Sequence, residues 1–132
     1  MQHVSIQPED LFSSAPYGFS QVVVSRGEQI IYCAGQTAND KKLNVIGVGD
    51  LEAQLRASLE NVGIALKAGG AGFGDVVCTR VYVVDYTPDY LGVISSVMSE
   101  FFGDNLPANT LIGVQALALP EFLCEIEATA VV

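Results

Sequence analysis

The sequence predicts an α+β fold in which one mixed sheet carries two helices on a single face. Three features point to this class: β-branched strand-like runs in both halves of the chain, two helical segments, and one strand-like run between the helices. After a short N-terminal strand, the predicted order is two strands, a helix, a strand, a helix and two closing strands, an order that packs as two layers. A chain of 132 residues has room for one core, so residues 1–132 are predicted to form a single domain.

The first part of the chain is predicted to contribute three short strands. An extended segment at residues 3–6 precedes a loop, and two β-branched runs follow at residues 20–25 and 29–33. The turn signal Arg26-Gly27-Glu28 lies between these two runs, so we predict that they pair as a hairpin. A polar loop without hydrophobic periodicity, residues 39–44, leads towards the first helix.

Residues 51–68 form the clearest predicted helix. Asp50 is a predicted N-cap, and Gly69-Gly70 supplies the C-terminal stop. Polar residues such as Gln54 fall largely outside the apolar stripe, so the helix is expected to cover a sheet with one face. The stripe recurs at spacings of three and four residues and contains Leu51, Leu55, Leu59, Val62 and Leu66.

The second part of the chain is predicted to alternate strand and helix and then to close with two strands. Residues 76–85 are dense in β-branched residues, as is typical of a strand. Thr87-Pro88 is a strong helix start, and that helix is expected to end at Gly103. The last two strands are predicted at residues 110–116 and 123–132.

The composition indicates an obligate oligomer. Charged residues make up 16% of the chain, against roughly 25% in an average globular protein. A domain of this size leaves a large share of its surface in water, and so few charges cover that surface poorly. Burial against other subunits is the simplest remedy.

One face of the sheet is expected to form the subunit interface, because both helices cover the other face. Alternation places Glu125 and Glu127 on the uncovered side of the last strand. Arg80 and Tyr82 share a face of the strand at residues 76–85. A mixed polar and apolar face of this kind suits a subunit interface better than open water.

The charge balance argues against nucleic-acid and membrane partners. Six Lys and Arg residues stand against 15 Asp and Glu, a net charge of −9, whereas a nucleic-acid binder needs a basic surface. Anionic membranes are disfavoured for the same reason, and no apolar run approaches the ~20 residues of a membrane helix. Residues 1–5 lack the pattern of a signal peptide, so we expect a cytoplasmic protein.

The residue types predict no metal site and no cofactor. His3 is the only histidine, so a Ser-His or Cys-His relay and a metal site lack partners.

Cys33, Cys78 and Cys124 are far apart in apolar stretches, which is typical of reduced structural thiols, with a reactive thiol as the alternative. The glycine-rich residues 69–74 follow a helix and precede a strand, the opposite of a phosphate-binding loop, so we interpret them as a connection.

Two segments near the C-terminus, Leu-Pro-Ala-Asn-Thr at residues 106–110 and Cys-Glu-Ile-Glu-Ala at residues 124–128, resemble the signature of the RidA/YjgF family. Pro16-Tyr17, Gly35-Gln36 and Glu100-Phe101-Phe102 match the family in the same order. The resemblance implies a chorismate-mutase-like fold, a homotrimer whose sheets face inward, and three small-molecule clefts between subunits. The best-known members of the family hydrolyse reactive enamines and imines.

The resemblance implies a catalytic role for Glu125, which matches the family's glutamate that positions the hydrolytic water. A partly desolvated carboxylate can orient water and protonate the leaving nitrogen. The alternative is an interface glutamate paired with Arg80, although Glu127 is the more natural partner for that structural ion pair. Tyr17 could stack on or hydrogen-bond a ligand, or it could pack within the interface.

One position departs from the family pattern. After Pro-Ala, the deaminating members carry an arginine that binds the substrate carboxylate, whereas this chain has Asn109. Arginine offers a charged bidentate fork, and asparagine offers one uncharged amide with a donor and an acceptor. We therefore expect a ligand that is neutral, amide-like or anchored elsewhere. Asn109 is interpreted as a ligand contact or as a strand-start or turn residue.

Three further ligand-binding positions differ from the family pattern. Ala34 matches a family serine before Gly35-Gln36, Ser95 matches a helix asparagine, and Leu111 matches a cysteine. Each change makes the cleft less polar or reduces its reach. Together with Asn109, these changes indicate a different ligand, and we expect weak or no action on 2-aminoacrylate.

Three functions are compatible with these residues. The first is hydrolysis of an enamine, an imine or a related metabolite by Glu125 in a homotrimer. The second is ligand binding or regulation by the same trimer without catalysis. The third, a chaperone-like or purely structural role, is disfavoured because it leaves Glu125 unexplained in a mostly apolar strand.

Overall fold

The computed structural model describes residues 3–132 and confirms the predicted α+β class, with a mixed sheet and two helices. Met1 and Gln2, which belong to the N-terminal segment interpreted above, lie outside the described residues. Short 3-10 turns occupy residues 15–17, 73–75 and 88–90. The main elements are β1 (His3–Ile6), β2 (Val22–Ser25), β3 (Ile30–Gln36), α1 (Leu51–Ala68), β4 (Val76–Val84), α2 (Leu91–Phe102), β5 (Ala108–Val114) and β6 (Cys124–Val131).

The main sheet has four strands in the order β3-β6-β4-β5. The β4–β5 pair is parallel, and β6 runs antiparallel to both β3 and β4. Side chains on one face of β6 pack against α1 and α2 in a single hydrophobic core. Both helices therefore cover the same face, and the strands β3 and β5 form the two edges of the sheet.

The predicted hairpin between the second and third strands is wrong. β2 pairs with β1 in a separate two-stranded sheet, and β3 pairs with β6. The turn at Gly27 passes over the C-terminus, where the N–H groups of Glu28 and Gln29 donate to the Val132 carbonyl at 2.8 and 2.9 Å. The residues after the turn thus pair with the C-terminal strand, and β2 pairs with β1 instead.

The single predicted sheet is consequently divided into two. The small sheet of β1 and β2 adjoins the large one through a parallel bridge between Ser20 and Ala108, at the start of β5. The strand bounds shift with this arrangement, because β5 begins at Ala108 and not at residue 110. Asn109 is therefore inside a paired strand.

Helix α1 has the predicted ends and the predicted buried stripe. The Asp50 carboxylate accepts a hydrogen bond from the Ala53 N–H at 3.0 Å, and Gly70 adopts a left-handed φ of 84° after the last turn. Leu55, Leu59 and the other predicted stripe residues are buried, except for a half-buried Leu51. The placement of Gln54 outside the buried face is wrong, because its side chain is fully buried.

Helix α2 also follows its start and stop signals. The Thr87 hydroxyl accepts from the Asp89 N–H at 3.4 Å, and Pro88 opens a 3-10 turn that leads into α2. The helix ends at Phe102 before Gly103, with Ile94 and Met98 in the core. Within residues 3–132, no helix combines the length and apolar character that crossing a membrane requires.

The face of the sheet away from the helices is only partly polar. On β6, buried residues alternate with half-buried ones, and Glu125 and Glu127 lie on the half-buried side as predicted. On β4 a register shift between Val76 and Cys78 turns Val76 towards the core. Tyr32 on β3 is 77% exposed. We call this surface the open face.

Candidate functional site

A cavity of about 560 Å³ lies between α2, β5 and the loop before β2. It contains four of the predicted ligand-binding residues: Tyr17, Ser95, Asn109 and Leu111. Its remaining lining residues are mostly apolar and comprise Phe12, Ser13, Phe19, Leu91 and Ile94. Volumes of this size are typical of small-molecule sites.

The loop over the cavity is held by aromatic contacts and by close packing on α2. The Phe12 ring meets Tyr17 and Phe19 edge to face, at centroid distances of 5.9 and 6.1 Å. Gly18 has a φ of 86°, and a Cβ there would lie 2.7 Å from the Ser95 carbonyl oxygen. A residue with no side chain is thus required where this loop touches the helix.

Asn109 is oriented by a buried neighbour on β4. The two residues are in register, and the Thr79 hydroxyl donates to Asn109 Oδ1 at 2.8 Å. Thr79 is 1% exposed and lies on the helix-covered face of the sheet. Asn109 and Leu111 therefore project to that same face, where the cavity is.

A second group of predicted residues gathers at the opposite edge of the sheet. Glu125 on β6 lies over the backbone of Gly35 on β3, next to Ala34 and Gln36. A Cβ built on Gly35 would come within 2.8 Å of Glu125 Cδ and 2.9 Å of Cγ. Within residues 3–132, no hydrogen bond or ion pair occupies the Glu125 side chain.

The two groups do not meet within one chain. Glu125 is in register with Tyr82 on the open face, whereas Asn109 is in register with Thr79 on the helix-covered face. The strands β6 and β4 also separate the edge strand of Gly35 from the edge strand of Asn109. One chain therefore carries two half-sites, one at each edge and on opposite faces.

Arg80, Tyr82 and Glu127 form a polar cluster on the open face. Arg80 Nη1 lies 3.5 Å from Glu127 Oε2, and the Tyr82 hydroxyl donates to Glu127 Oε1. This hydrogen bond is the main cause that raises the pKa of Tyr82, and burial of the ring hydroxyl is the second. Arg80 is thus engaged by Glu127 and leaves Glu125 unpaired.

Cys33 and Cys124 are poor candidates for nucleophiles. Burial raises the pKa of Cys124 to about 11, and Cys124 Sγ lies 3.7 Å from the Ser58 hydroxyl. Burial also raises the pKa of Cys33. Both thiols stay protonated at neutral pH, whereas the thiolate is the reactive form. In the part of the chain that the structure describes, no group of three or more His, Cys, Asp or Glu residues could hold a metal ion.

Sequence reasoning missed the aromatic residues of the cavity and the role of Thr79. Phe12 and Phe19 lie in a loop without periodicity, so no pattern connects them to a site. Alternation places Thr79 on the covered face, but its contact with Asn109 depends on the parallel register of β4 and β5. Leu91, the first residue of α2, also lines the cavity.

Comparison with known proteins agrees with this fold. The family model described as Endoribonuclease L-PSP matches residues 12–132. A crystal structure of the Rid-family protein YyfB from Yersinia pestis, a protein of unknown function, has a TM-score of 0.95 and 41% identity, with full coverage of both chains.

Two named relatives are deaminases. The 3-aminoacrylate deaminase RutC of Acinetobacter baylyi is 32% identical over 88% of this chain and 86% of its own length. The 2-iminobutanoate/2-iminopropanoate deaminase of Rattus norvegicus is 33% identical over 86% of this chain and 79% of its own length. Since the family model matches residues 12–132 and these relatives are more than 30% identical over most of this chain, the chain belongs to the RidA/YjgF family.

Proposed function

We propose that this protein hydrolyses a small enamine or imine other than 2-aminoacrylate, in a cleft between the subunits of a homotrimer. The observation that carries the proposal is the Glu125 carboxylate, which lies on the open face against Gly35 and has no hydrogen-bond or ion-pair partner among residues 3–132. Deaminase activity in two named relatives supports the same reaction class.

A second subunit supplies what one chain lacks. The half-site of Glu125 and Gly35 and the half-site of Asn109 and Tyr17 lie at opposite edges of one sheet. Packing of open faces against each other allows the Glu125 edge of one copy to approach the Asn109 edge of the next. The low charge content and the exposed Tyr32 support burial of this face.

Glu125 is assigned the proton transfers. It accepts a proton from water as the water oxygen bonds to the imine carbon and delivers that proton to the imine nitrogen, giving a neutral carbinolamine. It then takes the hydroxyl proton of the carbinolamine as the C=O bond forms and passes it to the nitrogen as the C–N bond breaks, so that a carbonyl compound and ammonia are the products. Asn109, Tyr17 and the backbone of residues 34–36 hold the ligand.

A non-catalytic metabolite-binding or regulatory trimer is the second candidate. It is favoured by Asn109, because this position lacks the charged fork that would bind a substrate carboxylate. Both candidates use the same cleft, and they differ only in whether Glu125 catalyses hydrolysis of the bound ligand.

RNA cleavage, which the name of the family model suggests, is not part of the proposal. A net charge of −9 opposes binding of a polyanion, and His3 is the only histidine in the chain.

We place the protein in the cytoplasm, because its three cysteines are free thiols, which a reducing compartment preserves.

The test is ammonia release from imines generated in situ, by an amino-acid oxidase for charged imines and by an amine oxidase for uncharged ones. Glu125→Gln keeps the shape of the side chain and removes the base, so turnover is expected to fall by about 100-fold or more. Glu60→Gln, on the exposed side of α1, is the matched control and is expected to match the wild type.

Light scattering on the same samples reports the assembly, which is expected to be trimeric in all three proteins. Full activity of a trimeric Glu125→Gln variant would refute the catalytic assignment. Ligand binding without turnover by the wild type would establish the second candidate. Efficient turnover of 2-aminoacrylate would show that Asn109 does not exclude this substrate.

A further inference from the structure

We infer that the cavity beside Asn109 selects an uncharged ligand that combines a carbonyl-type hydrogen-bond acceptor with an apolar body. The inference deepens the proposed function and rests on the same cleft, because it names the class of compound that the cleft takes. It is carried by two observations: the lining of the cavity and the hydrogen bond from Thr79 to Asn109.

The lining favours an uncharged ligand. None of the nine residues around the cavity carries a formal charge. A carboxylate that entered this space would lose its hydration without gaining a cationic partner, which is unfavourable. Binding of an anion at this half-site is therefore disfavoured relative to a neutral molecule of the same shape.

The shape and chemistry of the lining favour an apolar body. Phe12, Phe19 and Tyr17 form a cluster of edge-to-face rings on one side, and Leu91 and Leu111 are also part of the wall. A volume of about 560 Å³ exceeds what a three- or four-carbon metabolite would fill. A phenyl ring or a branched alkyl group fits this environment.

Thr79 decides which end of the Asn109 amide meets the ligand. Its hydroxyl donates to Asn109 Oδ1 at 2.8 Å, which fills one of the two acceptor positions of the amide oxygen and holds that oxygen towards β4. In the described residues no hydrogen bond uses Asn109 Nδ2, whose two hydrogens remain available. Asn109 is therefore presented as a donor, and the complementary ligand group is an acceptor such as the carbonyl oxygen of an amide, ester or ketone.

Thr79 is thus a positioning residue for specificity. It is almost fully buried on β4 and reaches the ligand only through Asn109. For the proposed reaction, we infer that the substrate is an enamine or imine with an aromatic or branched substituent. It carries an uncharged carbonyl group where the substrates of the family's deaminases carry a carboxylate.

The test compares two probes of nearly identical shape, 3-phenylpropanamide and 3-phenylpropanoate. Titrations of the full-length protein are followed by backbone amide resonances in nitrogen-15 NMR spectra, together with the side-chain amide resonances of Asn109 in the proteins that retain this residue. We expect the amide to bind at least about tenfold more tightly than the carboxylate. Asn109→Arg is expected to reverse this preference, because it restores a charged fork.

Three variants separate positioning from packing. Thr79→Val keeps the volume and removes the hydroxyl, so affinity for the amide probe is expected to fall about tenfold while affinity for the carboxylate changes little. Thr79→Ser keeps the hydroxyl and is expected to restore the amide preference. Ile64→Val, on the exposed surface of α1, is expected to bind both probes as the wild type does.

Equal affinity for the two probes, tighter binding of the carboxylate, or no binding of either at millimolar concentration would overturn the inference. An unchanged amide preference in a folded Thr79→Val variant would refute the role of Thr79. These titrations require no turnover, so a protein that binds the amide and hydrolyses no imine would retain this inference and refute the hydrolase proposal.

Discussion

The Glu125 carboxylate can occupy its position only because residue 35 is a glycine. Gly35 lies at a register shift in the β3–β6 pair, between Cys33 and Gln36. The Glu125 side chain lies over its Cα, in space that any Cβ would occupy. Steric exclusion therefore explains why residue 35 has no side chain, since a larger residue would displace the carboxylate from its position on the open face.

Gly35→Ala is expected to lower imine turnover by about tenfold or more, because the new Cβ pushes the Glu125 carboxylate aside. Since Glu125 is a flexible side chain, the unfolding free energy should change by less than about 1 kcal/mol. Ammonia release and thermal unfolding measure the two effects.

Gly92→Ala is the control for this prediction. Gly92 lies in α2, and a Cβ there meets no atom within 4 Å. We expect unchanged turnover and a gain of about 0.5–1 kcal/mol in stability from the higher helix propensity of alanine. Equal turnover in both alanine variants would show that the position of Glu125 does not matter.

At the scale of elements, Gln54 ties the first turn of α1 to the entry of β6. Gln54 Nε2 donates to the carbonyls of Gly47 at 3.2 Å and Glu121 at 2.9 Å, and Gln54 Oε1 accepts from the Leu123 N–H at 2.8 Å. One buried amide thus joins three segments and sets where β6 begins. The position of Glu125, two residues after Leu123, depends on this anchor.

Gln54→Leu is expected to lower the unfolding free energy by about 2–3 kcal/mol. The leucine fills the space but leaves the part-buried Leu123 N–H and the Glu121 carbonyl without their hydrogen-bond partner, whereas the Gly47 carbonyl keeps its bond from the Asp50 N–H. Urea denaturation followed by circular dichroism measures the loss.

Glu60→Leu places the same residue on the exposed face of α1, and its unfolding free energy is expected to stay within about 0.5 kcal/mol of the wild type. A Gln54→Leu variant as stable as this control would show that the three hydrogen bonds contribute little to folding.

At the scale of the whole molecule, the distribution of charge and apolar surface indicates how the chain is used. The core uses one face of the four-stranded sheet. The other face carries the Arg80–Glu127–Tyr82 cluster and the largely exposed Tyr32. Covering this face with further copies would protect apolar surface and join the two half-sites.

Tyr32→Glu tests that assembly. Tyr32 is 77% exposed on the open face of β3, so a charge there costs little in a single chain and much in a desolvated interface. We expect the variant to sediment as a single subunit and to lose turnover together with the trimer.

Ile64→Glu is the matched control, because Ile64 is 68% exposed on α1, away from the open face. This variant is expected to remain trimeric and active. A wild-type protein that sediments as one subunit, or a Tyr32→Glu variant that stays trimeric, would contradict the proposed assembly.

Much of the fold could be predicted because local signals agreed with tertiary structure. The Asp50 cap, the Leu55–Leu59 stripe and the alternation along β6 depend on residues close together in the chain, and all three are confirmed. The hairpin prediction failed because the local turn at Gly27 does not fix the strand pairing: β2 pairs with β1, and β3 pairs with the distant strand β6.

For the candidate site, the sequence alone determined the types of residue: a carboxylate at position 125, an uncharged amide at position 109 and their family pattern. The placement of these residues on opposite faces of the sheet, and the contact by which Thr79 orients the Asn109 amide, became visible in the folded chain alone. Chemical identity is a property of each residue, whereas strand order and register arise from packing between segments far apart in the chain.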